Sequence, residues 1–106
     1  MPWRVRLAPE AADALRNSPP QIKRELRAAL RGLARDPIGR EDRLDVKELT
    51  TGPPSLFRLR VRDWRVVFGL SGHDVLVARV FHRAEGYGWL ERWGSESRRA
   101  GERGRG

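Results

Sequence analysis

Apolar positions recur at two different spacings, and the change of spacing divides the chain in two. Ile22, Leu26, Ala29, Leu30 and Leu33 lie three and four residues apart, which predicts an amphipathic helix. Glu10 to Asn17 fits a shorter helix with Ala11, Ala14 and Leu15 inward and Pro9 at its start. Ser18-Pro19-Pro20 separates the two, with Ser18 expected to cap the second helix, which Asp36-Pro37 and Gly39 then end. From Leu56 the spacing falls to two. Phe57, Leu59 and Val61 alternate with Arg58, Arg60 and Arg62, as on a strand with one apolar and one guanidinium-lined face. Trp64 to Leu70 and Val75 to Phe81 read as two further strands. Arg62-Asp63 and Ser71-Gly72-His73-Asp74 join these three runs and are short enough for antiparallel hairpins. Trp3-Arg4-Val5-Arg6-Leu7 alternates as a short first strand.

The expected fold class is α+β, a small antiparallel sheet in the order β-α-α-β-β-β. Two helices would pack on one face, the other would stay open and basic, and a short helix turn would follow over Tyr87 to Trp93. Ile38 to Pro54 is charged and irregular, with Leu44, Val46 and Leu49 as anchor points. Residues 1–94 form the expected domain. The glycine- and arginine-rich segment 95–106 is expected to be disordered.

Composition sharpens this picture in two respects. The formal charge is +8, with 22 basic residues of which only Lys23 and Lys47 are lysine. Segment 95–106 holds four arginines against two glutamates, so most of the excess belongs to the body and an anionic partner is expected. There is no cysteine, which excludes disulfides and thiolate metal sites. No stretch has the apolar length of a membrane span, and a soluble, cytoplasmic protein is expected.

An ordered set of motifs narrows the function. Leu56 to Val67, then Val75-Leu76-Val77-Ala78-Arg79-Val80-Phe81-His82-Arg83, then Tyr87, resembles the RelE/ParE superfamily of type II toxin–antitoxin toxins, the RelE-like branch above all. Asp45-Val46-Lys47-Glu48-Leu49 sits where such toxins carry a short Lys/Leu segment. The resemblance spans about residues 3 to 93. It implies a ribosome-dependent mRNA endonuclease that uses the ribose 2′-hydroxyl as nucleophile, leaves a cyclic phosphate and inhibits translation. Its partners would be mRNA, the ribosomal decoding site and a cognate antitoxin encoded alongside. The ParE branch instead implies DNA gyrase as target without nuclease chemistry. A non-catalytic RNA-binding module or decayed toxin is the third possibility.

Carried onto this chain, the functional positions are Arg58, Arg60 and Arg65 on paired strands, Arg83 closing the last strand, and Tyr87. Arg62 and Lys47 extend the RNA-binding set. Such cleavage needs proton transfer and stabilisation of a dianionic phosphorane, but no metal or cofactor. Arginine holds phosphate in paired hydrogen bonds yet keeps its proton, so Tyr87 or His82 is expected to move protons. The structural alternatives are ordinary ones. Arg58, Arg60 and Arg62 are equally the pattern of a solvated sheet face, and Arg65 is a potential ion-pair partner of Asp63 or Asp74. Glu85 in such surroundings is more often a salt-bridge partner than a base. Trp64 is expected to pack inward, whereas Trp89 and Trp93 lie four residues apart and suit either a core or a partner helix.

Overall fold

The change of period falls where two helices give way to a sheet. The computed structural model describes residues 2–38, 44–49 and 55–86. They form β1 (Arg4–Leu7), α1 (Pro9–Arg16), α2 (Pro20–Arg35), β2 (Asp45–Glu48), β3 (Leu56–Val61), β4 (Trp64–Ser71), β5 (Asp74–His82) and a one-turn 3-10 helix over Arg83–Glu85. The strand order is β1-β5-β4-β3-β2. Strands β3 to β5 pair antiparallel, as expected; β2, which the sequence reading did not include, adds antiparallel to β3, and β1 lies parallel to β5, so the sheet is mixed.

Both helices take proline in their first turn, where the missing N–H is no loss. Ser18 does not cap α2 as expected. It is buried, and its Oγ donates to the Leu15 carbonyl at 2.6 Å, closing the end of α1 instead. Ala11 and Leu15 of α1 and Leu26, Leu30 and Leu33 of α2 pack on Leu59, Val66, Phe68, Val75, Val77 and Val80 of the sheet. Fully burying one such side chain contributes about 1.5–3 kcal/mol, and this cluster is the main source of stability. Trp64 joins it, as its parity predicts.

The segment read as irregular contains β2. Val46 faces the main core, and Leu44 settles against α2 where Gly32 leaves room for it. A Cβ on Gly32 would stand 3.1 Å from Leu44 Cδ1, so any larger residue there would press on the Leu44 side chain. The expected turn over Tyr87 to Trp93 and the tail from Ser95 lie outside the described residues.

Two-residue turns close both hairpins. Gly72 takes φ +59° in the second, as a glycine readily does. In the first, Arg62 itself stands at φ 54°, a left-handed conformation unfavourable for a residue with a Cβ.

Candidate nucleic-acid interface

The face of the sheet away from the helices collects cations by strand register. Arg58 of β3 lies directly opposite Lys47 of β2, and Arg60 of β3 directly opposite Arg65 of β4. Like charges placed directly across a sheet destabilise it, so two adjacent cationic pairs are a cost the fold itself does not require. Asp45 relieves part of it. It pairs with Arg60 in register, and its carboxylate lies 3.3 Å from an Arg58 guanidinium nitrogen, holding that mostly buried side chain against the sheet. Arg60 and Lys47 are exposed.

Arg65 makes neither of the ion pairs open to it in sequence. Its Nη1 donates to the carbonyls of Arg62 at 2.9 Å and Trp64 at 3.0 Å, which clips the β3–β4 turn. A guanidinium carries five N–H donors, so this anchorage leaves others for a ligand. Arg83 reaches the same turn from the other side. Its backbone N–H donates to the Asp63 carbonyl at 2.7 Å, and its Nε lies 3.5 Å from the Asp63 carboxylate. Arg60, Arg65 and Arg83 therefore gather at one end of the sheet, next to Arg58 and Lys47.

Two expected members are not brought to this face. Arg62 is in the turn rather than on the strand. Its Nε donates to Glu25 of α2 at 2.6 Å, on the helix side. That hydrogen bond and the glutamate's charge raise the guanidinium pKa above its usual value, so Arg62 remains a fixed cation there. His82 is paired with Trp64, whose side chain packs on the helix-covered core, and the two rings meet edge to face at 5.7 Å. Its Nδ1 accepts from the Ala84 N–H at 3.1 Å and caps the 3-10 turn that begins with Arg83. His82 is a positioning residue for Arg83 in this geometry. His82→Asn, whose amide oxygen can make the same bond, should keep the turn that carries Arg83, whereas His82→Leu should loosen it. Amide exchange at Ala84 gives the check, and faster exchange is expected in the leucine variant only. Tyr87 lies outside the described residues.

The open face is also less polar than the arginine pattern suggests. Leu56, Val67 and Phe81 are buried on it and pack with Leu49 in a second small cluster. The continuous apolar runs Val66-Val67-Phe68 and Val80-Phe81 were the available signal, since strands buried on both faces lose alternation. The sequence also gave no weight to Asp45 and Asp63 as the acids that orient Arg58 and Arg83. Among the described residues no three histidine, aspartate or glutamate side chains converge as metal ligands, and no helix is long and apolar enough to cross a membrane.

Comparison with known proteins agrees with this architecture. The family model for the ParE toxin of the type II toxin–antitoxin system parDE matches residues 5–87. A chain in the archaeal RelE–RelB complex from Pyrococcus horikoshii superposes with a TM-score of 0.68 at 27% identity, covering 78% of this chain and 97% of that one. The RelBE2 toxin–antitoxin complex from Mycobacterium tuberculosis gives 0.55 at 28% identity, with 78% and 100% coverage. The RelB–RelE complex from Methanococcus jannaschii shares the fold, with a TM-score of 0.63 at 19% identity and coverage of 78% and 95%. No curated protein sequence matches.

Proposed function

Because the chain belongs to the RelE/ParE superfamily of type II toxin–antitoxin toxins, we propose that it is an mRNA endonuclease of the RelE branch. It acts on messages in the ribosomal decoding site and is silenced by a cognate antitoxin. The observation that carries this reading is the cationic sheet face of Lys47, Arg58, Arg60 and Arg65, with two like-charge pairs in direct register and Arg83 held at the β3–β4 turn that ends it. Structural likeness to chains solved as toxin–antitoxin complexes supports the antitoxin as partner.

In the proposed reaction the ribose 2′-oxygen attacks the adjacent phosphorus and the bond to the 5′-oxygen breaks. The products are a 2′,3′-cyclic phosphate and a free 5′-hydroxyl. Arg60, Arg65 and Arg83 stabilise the charge that builds on the phosphorane oxygens, where preorganised donors act most strongly. Arg58 and Lys47 hold the flanking phosphates. Tyr87, four residues beyond Arg83 in sequence, is assigned the proton transfer that arginine cannot perform.

A gyrase target is the second reading, favoured by the match to a family model named for ParE. Controlled induction in a bacterial host separates the two. Translation should stop, with new 5′ ends inside codons of translated messages and DNA supercoiling unchanged. Intact messages with an induced DNA-damage response would transfer the assignment to gyrase.

A further inference from the structure

The helix on the far side of the sheet carries a charge that the sheet-face chemistry does not use. Helix α2 holds Lys23, Arg24, Arg27, Arg31 and Arg35 against the single acid Glu25, a net +4, or half the +8 of the whole chain. Glu25 is itself turned to Arg62. At 100° per residue, Arg24, Arg27, Arg31 and Arg35 fall within an arc of about 80°. That arc is opposite Leu26, Leu30 and Leu33, which are buried, and all four arginines are exposed. Arg35 ends the stripe and is already engaged. Arg24, Arg27 and Arg31 make no ion pair with the described residues. Arginines three and four apart repel along a helix, so this spacing works against α2 unless something anionic lies on it.

We propose that this stripe is a second nucleic-acid surface, which binds the phosphate backbone of double-helical RNA. From Arg24 to Arg35 a helix rises about 16 Å, a rigid row of guanidinium groups that suits the regular phosphates of a duplex better than a flexible strand. A protein partner fits less well. Protein interfaces are built around an apolar centre depleted in charge, and the other exposed positions of α2 are Pro20, Gln21 and Ala28, none a large apolar anchor. Interfaces with nucleic acid are polar and strongly basic, as here. The inference does not depend on whether the sheet face cuts RNA, because Arg58, Arg60 and Arg65 lie on the opposite side of the sheet.

The test is binding of the full chain to a short labelled RNA duplex over a range of salt concentrations. Each of R24Q, R27Q and R31Q should lower the salt slope by about one, and the triple variant should lose roughly tenfold or more in affinity. R58Q/R60Q should leave duplex binding unchanged while weakening the single-stranded substrate, which separates this proposal from the nuclease reading. Thermal unfolding of the single variants should match or exceed that of the parent, since each removes a like-charge contact. Failure of the parent chain to bind duplex, slopes unchanged in all three single variants, or displacement of the duplex by polyglutamate at equal charge concentration would overturn the proposal.

Discussion

Arg83→Ala is expected to abolish growth arrest and to slow RNA cleavage by about 10²–10³-fold, the usual loss when one preorganised donor to a developing oxyanion is removed. The same variant should fold normally. The Arg83 side chain is 65% exposed and its partner Asp63 60%, so their ion pair belongs to the class that contributes about 0–1 kcal/mol. The backbone bond from the Arg83 N–H to the Asp63 carbonyl is untouched by the substitution, and the 3-10 turn retains its His82 cap. Growth assays paired with thermal unfolding and antitoxin co-purification check the result. Loss of toxicity with an unchanged melting temperature and retained antitoxin is the expected combination. Undiminished toxicity would remove Arg83 from the site.

Phe68→Ala should have the opposite profile, with toxicity reduced because the fold is weakened. Phe68 is fully buried on the central strand β4, opposite Phe57 on β3 and Val77 on β5. Its ring stacks on Phe57 with centroids 5.6 Å apart. Truncation removes the ring and leaves a cavity that α2 and the sheet close only in part. Such changes cost about 3–5 kcal/mol. A domain of this size is stable by roughly 5–15 kcal/mol, so a large share of the margin disappears. Urea unfolding should show a lower midpoint with little change in slope. Together the two variants separate chemistry from stability, since Arg83→Ala should spare the unfolding curve and Phe68→Ala should shift it.

Much of the architecture was legible because the relevant forces are local. The spacing of Ile22, Leu26, Ala29, Leu30 and Leu33 defines the buried side of α2, and alternation from Phe57 to Val61 defines both faces of β3. The short links Arg62-Asp63 and Ser71 to Asp74 announced the two hairpins. What escaped depends on partners distant in sequence. Strand β2 is charged on both sides and only Val46 points to the core, so its existence follows from pairing with β3 rather than from its own pattern. The parallel seat of β1 against β5 is likewise a matter of topology. In the site, Arg58, Arg60 and Arg65 shared a face because strand parity demands it. Arg62 left that face because the chain turns one residue after Val61, and Glu25 draws its side chain to the helix side. His82 was separated from the arginines by the same parity rule applied from the Trp64 pair. The bulge in β5 opposite Val67 and Phe68, which resets the faces along that strand, has no signature in residue type alone.

The most direct measurement is end-group analysis of mRNA incubated with the purified chain and programmed ribosomes. Cleavage within the codon in the decoding site, with a 2′,3′-cyclic phosphate upstream and a 5′-hydroxyl downstream, is the expected product. It should fall to background when Arg60, Arg65 and Arg83 are replaced together by glutamine. Uncut message with the parent chain, or equal cutting by the triple variant, would contradict the assignment of RNA cleavage to this arginine face.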